Sequence, residues 1–355
     1  MNDEQAKRAA LVLYKGRHGV FCHIAADQTI GASLRMYGEW AEEELFLLSH
    51  LVREGDVVVD VGANIGTHTI AFARFVGNTG QVIAIDAQFL AFRLLSFNIV
   101  LNGAHNVVPI NALAERSNSL KMVPDLESGE NLGAMSFANV DFDRVDTQQP
   151  LRPLPAIAID SLMLRQCDLI KIDVEGMELH VLSGAMETLS RYRPFVYFEQ
   201  TSASNLAEIS ALFFTLGYDL FWHVARPFNT ANFHGATDNI FGTAVEVNIL
   251  ARPREKLLPE AIKPVTAHPL TNALYDPPLT LIDPLAWALP ASTHARLAPP
   301  SAYQPGGLFA SLHADLEMLQ QRFDALAEDR KKAQDIMEYQ FRELETLRKG
   351  KDTPG

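Results

Sequence analysis

Between Asp56 and Thr69 the chain reads Asp-Val-Val-Val-Asp-Val-Gly-Ala-Asn-Ile-Gly-Thr-His-Thr, and this stretch limits the possible folds most tightly. Val57, Val58, Val59 and Val61 form a nearly unbroken β-branched run, the pattern of a strand covered on both faces in a parallel sheet. Gly62 and Gly66 let the backbone turn sharply and approach a ligand at the strand's carboxyl end. Thr67 then opens a helix that continues through Ile70, Ala71, Phe72 and Ala73. Strand, glycine turn and helix together mark the ligand crevice of an open α/β sheet.

The spacing of the glycines selects among ligands. A dinucleotide site calls for G-x-G-x-x-G, three glycines that pack a pyrophosphate onto a helix amino terminus. Here the spacing is G-x-x-x-G, with Asp60 two residues ahead of Gly62. A carboxylate there repels a pyrophosphate but accepts hydrogen bonds from an ammonium group or from turn amides. That suits a nucleoside carrying an amino acid, of which S-adenosylmethionine is the example, with Ala63, Asn64 and Thr67 completing its loop. The next strand, ending Ala84-Ile85-Asp86, places an acid where it can take both ribose hydroxyls. The alternative is a plain β-α-β unit in which Asp60 and Asp86 only cap turns.

A second group of charges lies at Lys171, Asp173 and Glu175, alternating with Ile170, Ile172 and Val174. A strand running through Glu175 projects all three from one face. Each costs several kcal/mol on a covered sheet unless paired or open to a cleft. Asp173 and Glu175 then stand at the carboxyl edge, with Lys171 deeper and able to pair with Asp173. A purely structural ion-pair cluster is the competing explanation. Glu199, at the end of the following apolar strand, faces the same edge. For transfer to a hydroxyl, Asp173 is the first candidate to orient or deprotonate the acceptor and Glu199 the second. Glu175 is the candidate for binding the acceptor or the methionyl ammonium, and Lys171 for setting the charge of both acids. His68, in the first turn after Gly66, is the best functional case among the histidines. No His, Asp or Glu spacing matches a metal motif, so no metal is expected.

Three segments resemble the FkbM-type family of S-adenosylmethionine-dependent methyltransferases: Val59-Asp-Val-Gly-Ala-Asn-Ile-Gly66; Leu169-Ile-Lys-Ile-Asp-Val-Glu-Gly176, with Glu178 and Leu182-Ser-Gly-Ala185; and Pro194 leading into Val196-Tyr-Phe-Glu199. The resemblance implies a class I methyltransferase, a Rossmann-like α/β fold with a doubly wound, mostly parallel seven-stranded sheet. It also implies methylation of oxygen, on a sugar hydroxyl of a glycan, glycolipid or secondary metabolite. It puts Asn111 and Ala112 at the adenine edge, with Leu113 or Ala114 against the ring, and makes Asn98 and Asn102 a pattern usual in the family. The family commonly ends its second strand in Glu-Pro, where this chain has Asp86-Ala87. An N-methyltransferase or aminopropyltransferase on the same fold remains open, as does an inactive cofactor-binding module serving as a coiled-coil scaffold.

Composition bounds the partners. A formal net charge of −13 over 355 residues offers no basic face for a phosphate backbone, so no nucleic-acid partner is expected. Hydrophobic residues make up 48%, enough for a large core, yet no apolar run approaches the length of a membrane span. Cys22 and Cys167 are too few for a disulfide framework, and with no signal-peptide pattern at the amino terminus a cytoplasmic protein is expected.

Residues 1–55 are expected to hold short strands, at 19–24 and 29–36, and a lid helix from Glu42 to Val52. The methyltransferase domain occupies 56–251, with strands at 57–61, 82–86, 107–110, 169–173 and 195–199 and a closing hairpin of 218–222 and 243–250. Tyr37 to Trp40 is placed to close over the cofactor, and the long 229–242 loop to hold substrate. From 252 to 307 the chain becomes a linker, since 11 of its 19 prolines fall between Arg252 and Pro305. Residues 308–349 carry Leu312, Leu316, Leu319, Phe323, Leu326 and their successors to Leu347 at alternating four- and three-residue steps. That seam fits a homo-oligomeric coiled coil or a single amphipathic helix, and 350–355 form a tail.

Overall fold

The computed structural model describes residues 10–124, 151–200, 203–265 and 280–282. β1 (Leu11–Lys15) and β2 (Val20–Ile24) pair as an antiparallel hairpin, followed by helices α1 (Ile30–Tyr37) and α2 (Glu42–Ser49). β3 (Val57–Val61), α3 (Thr67–Phe75), β4 (Gln81–Asp86), α4 (Phe89–Leu101) and β5 (Val107–Asn111) then wind one half of a large sheet. β6 (Leu113–Ala114), β7 (Ser119–Pro124) and β8 (Leu151–Ile157) make a separate sheet in the order β6-β8-β7. β9 (Leu169–Ile172), α5 (Glu178–Ser183), α6 (Met186–Tyr192), β10 (Phe195–Glu199), α7 (Ala203–Thr215), β11 (Tyr218–Ala225) and β12 (Glu246–Pro253) complete the second half.

Among the described residues the large sheet runs β13-β14-β11-β12-β10-β9-β3-β4-β5, where β13 is Lys263–Val265 and β14 Thr280–Ile282. β5, β4, β3, β9 and β10 are parallel, and β12 runs against both β10 and β11. This is the expected seven-stranded, doubly wound α/β sheet, with two short edge strands drawn from within the proline-rich stretch. After β3 the chain crosses to β4 on one side, whereas β9 enters on the other side of β3. The carboxyl ends of β3 and β9 therefore flank a topological switch point, where open α/β sheets bind ligands.

The valine run forms β3 for the reason its sequence implies. Val58, Val59 and Val61 are at most 1% exposed, and Val59 sits in register between Ile83 of β4 and Ile170 of β9. Helices and hairpin close the core over it: Leu45, Leu47 and Leu48 of α2, Phe72 of α3 and Leu95 of α4 are all buried. Each such side chain contributes roughly 1.5–3 kcal/mol relative to exposure. Phe46 of α2 stands 42% exposed.

Asn98 and Asn102 belong to this scaffold. Asn98 accepts from the Cys22 amide at 2.7 Å and donates to the carbonyls of Cys22 (3.1 Å) and Ile65 (2.8 Å). Asn102 accepts from Val20 N at 2.9 Å and donates to Val20 O at 2.8 Å. Two side chains one helical turn apart thus act as a neighbouring strand for β2 and satisfy its free edge.

Two sequence expectations are corrected. Residues 29–36, read as a strand, form α1: Ile30, Leu34 and Tyr37 recur at helical spacing and all point into the core. The strand through Lys171 stops at Ile172, because Glu175 (φ +51°) and Gly176 (φ +100°) turn the chain in the left-handed region. Lys171, Asp173 and Glu175 are therefore not three successive positions on one strand face. No helix among the described residues is long and apolar enough to cross a membrane. The heptad-patterned segment and the tail lie outside the described residues.

Candidate active site

The turn after β3 and the turn after β9 touch. A Cβ on Gly62 would lie 1.8 Å from the Asp173 carbonyl oxygen, and Gly62 has φ +77°, so glycine is required there on two counts. Gly66 (φ +93°) begins α3, and a Cβ on it would meet Leu95 at 2.8 Å. Both glycines are thus demanded by neighbouring protein atoms. The sequence reading, which assigned them to ligand approach, missed this because β9 and α4 are distant in the chain.

A cleft of about 530 Å³, counting its open mouth, lies along these turns. Val61, with Gly62, Asp173, Val174 and Glu175 of the two turns, lines it. Ala87, Ala112, Leu113, Ala114 and Met177 add an apolar end of largely small surfaces. Leu113 and Met177 pack with Val123, Leu154 and Ala156, so the three-stranded sheet backs this apolar end.

Asp86 also lines the cleft. One carboxylate oxygen accepts from Asn64 N at 2.8 Å and the other from Gln88 N at 2.7 Å, so it ties the glycine turn to its own. Burial pushes its pKa up, to about 7, against the pull of those two amides. Each oxygen keeps a further lone pair for a ligand hydroxyl. The shorter Asp in place of Glu leaves the carboxylate on the cleft wall.

Several expected cofactor residues lie behind that wall. Asp60 is fully buried, accepts from Thr69 Oγ1 at 2.6 Å, and has its second oxygen 3.8 Å from Lys171 Nζ with no hydrogen bond. Asn64 shapes the turn: its side chain accepts from Ile65 N at 2.8 Å, and its φ is +51°. Asn111 donates to the Asp86 carbonyl at 2.8 Å rather than lining the cleft. Ala63, Gly66 and Thr67 are held within the turn and first helical residue. Ala87 and Ala112 line the cleft.

Lys171 is 3% exposed and donates to Asp173 Oδ2 at 3.0 Å. Burial opposes its charge, but Asp173, Asp60 and Glu44 outweigh burial and hold the ammonium above its usual range. The Asp173 side chain is 44% exposed and faces the cleft. Glu199 lies deeper; burial, followed by the charges of Asp173, Glu175 and Glu44, pushes its carboxyl well up.

Sequence reasoning missed a further group at this edge. Glu44 of α2 accepts from Asn248 Nδ2 at 2.8 Å, lies 3.3 Å from His68 Nε2, and shares a hydrogen bond with Glu246. Burial and the Glu44 charge push Glu246 well up, while His68 overcomes the burial of Glu44 and draws that carboxyl down. Glu44 and Glu246 are about 200 residues apart, so only the α2-to-β12 packing could reveal the pair. His68 joins it as the one histidine the sequence favoured.

Residues 60–220 match a methyltransferase FkbM domain. The matched span runs from Asp60 of β3 through the start of β11. Among solved structures, methyltransferase FkbM from Methylobacillus flagellatus KT is 17% identical, with 62% of this chain and 51% of that one covered and a TM-score of 0.41. The chain thus spans about half the length of that protein. TYW2 of M. jannaschii, solved in complex with AdoMet, is 16% identical over 68% of this chain and 84% of its own, with a TM-score of 0.35. A SAM-dependent O-methyltransferase from Thermotoga maritima is 13% identical over 70% and 80%, with a TM-score of 0.34. No curated protein matches the chain. Within this FkbM domain, the cleft and the Lys171–Asp173 pair lie inside the matched span.

Proposed function

We propose that the FkbM domain binds S-adenosylmethionine in the cleft at the switch point and methylates a hydroxyl oxygen, on a sugar within a glycan, glycolipid or related metabolite. The observation that carries this reading is one cleft lined together by Asp86, the apolar Ala112 to Ala114, and Asp173 and Glu175. Among the described residues no Lys or Arg side chain lines it, so it suits a cationic nucleoside and disfavours a pyrophosphate. The unsatisfied buried oxygen of Asp60 behind Gly62 adds to the negative potential there.

In this reading Asp86 accepts from the ribose hydroxyls, the alanines and Met177 cover the adenine, and Glu175 with the Gly62 turn takes the amino-acid end. Bound there, the cofactor supplies an electrophilic methyl group on a sulfonium centre. The protein aligns the acceptor oxygen and removes its proton. Asp173, fixed by Lys171, orients the hydroxyl. Glu199, whose burial raises its proton affinity, receives the proton. The sugar and the oxygen rest on family resemblance, and the raised Glu199 supports a reaction that must remove a hydroxyl proton.

The test is methyl transfer from labelled S-adenosylmethionine to a fractionated glycan and metabolite extract. The expected product releases its label as an O-methyl ether. Label on nitrogen would instead establish an N-methyltransferase, and cofactor binding without transfer to any fraction would establish an inactive module.

A further inference from the structure

We propose that the acceptor is seated in a second, wider groove on the same sheet edge, and that it is a neutral, hydroxyl-rich molecule such as an oligosaccharide. This rests on the methyltransferase reading above.

The groove, about 1890 Å³ with its open side, lies between the 226–245 connection and the start of α2. β11 runs parallel to β10, so that connection leaves the sheet at the same carboxyl edge as the Gly62 and Asp173 turns. Glu43 and Val245 are among its lining residues. Their chain neighbours Glu44 and Glu246 form the hydrogen-bonded pair, and the Glu44 charge acts on both Lys171 and Glu199. The groove therefore borders the elements that carry the acidic centre.

Its charges cancel. Arg17 binds Glu39 at 2.8 Å and lies 3.6 Å from Glu42, and the Arg226 charge acts on Glu43, whose carboxylate also accepts from Arg226 N at 2.8 Å. A strongly charged acceptor gains nothing from such a surface. Exposed on its lining are Phe46 and, from the 226–245 connection, Thr230, Ala231, Asn239, Gly242 and Thr243. An apolar ring together with neutral hydrogen-bonding groups matches a pyranose, with its C–H face and hydroxyl rim.

That connection is built, not loose. Tyr37 Oη donates to Asp238 O and accepts from Ile240 N, both at 2.8 Å. Glu39 accepts from Asn229 Nδ2 at 3.0 Å and Phe233 N at 2.9 Å, and Trp40 packs edge-on against Phe241 at 5.9 Å. Tyr37 to Trp40, read in sequence as a cover for the cofactor, instead anchors this loop.

The experiment is saturation-transfer NMR on the full chain with a panel of neutral oligosaccharides of increasing length and their uronate-containing counterparts. Wild type is compared with Phe46→Ala and Thr243→Trp, and thermal melting checks that each variant is folded. Neutral oligosaccharides are expected to bind, and each variant to weaken binding about tenfold, a loss of about 1.4 kcal/mol, with S-adenosylmethionine affinity unchanged on the same samples. Preference for the uronates, no binding by any member, or binding indifferent to both variants would overturn the groove. Loss of cofactor binding alone, with oligosaccharides still bound, would instead overturn the methyltransferase reading.

Discussion

The carbonyl oxygen of Asp173 occupies the space that a side chain on Gly62 would need, at 1.8 Å from the Cβ position. The glycine turn and the acidic turn thus form one packed unit, and each fixes the other. Gly62→Ala should therefore destabilise the fold by several kcal/mol, because backbone cannot yield as a flexible side chain can and because φ is positive. Urea denaturation measures this. Wild-type stability in the variant would mean that the turns can separate at little cost.

Asp86 carries a pH signature. Folded, it keeps its proton to about pH 7; unfolded, an aspartate loses it near pH ~3.9. Between those values the folded chain binds more protons. Its contribution to stability therefore falls as pH rises from about 4 to about 7, then levels off. S-adenosylmethionine affinity should move the other way and tighten through pH 7, as the carboxylate becomes a better acceptor. Asp86→Asn should flatten both trends, read by melting and by calorimetry at pH 6, 7 and 8.

Lys171 is wedged between a fully buried Asp60 and the partly exposed Asp173. Lys171→Met strands the Asp60 carboxylate and should cost about 3–5 kcal/mol. Adding Asp60→Asn should recover part of that loss. A double variant no more stable than the single one would show that Asp60 is not the stranded charge.

Asn98→Ala removes three hydrogen bonds from a fully buried side chain and leaves the Cys22 and Ile65 backbone groups without it. A loss of about 2–4 kcal/mol is expected. Hydrogen exchange should rise first at Cys22 and then through the hairpin. Uniform exchange across the domain would argue against this local role.

Glu199→Gln should lower labelled methyl transfer about 100-fold or more while leaving S-adenosylmethionine affinity within a factor of two, as expected for loss of a general base. Equal activity would move the proton to Asp173.

What the sequence revealed follows from how local each signal is. The valine run, the acid ending β4 and the Lys171–Asp173 pair were legible because strand periodicity and neighbouring charges are encoded within a few residues. The switch point followed from the strand-helix alternation. Glu175 was misplaced because its left-handed turn interrupts a pattern that reads as unbroken strand. Asp60 and Asn111 looked like ligand contacts, but Thr69, Lys171 and the Asp86 carbonyl claim them. Glu44 and Glu246 carry no local signal, since their meaning arises only where α2 packs on β12.

The most direct test of the central claim is calorimetric titration of S-adenosylmethionine into the full chain and into Asp86→Ala. Saturable one-to-one binding is expected, weakened about tenfold or more in a variant that still folds, equivalent to at least about 1.4 kcal/mol. Absence of saturable binding to the wild type, or equal affinity in the folded variant, would contradict the assignment of the cleft.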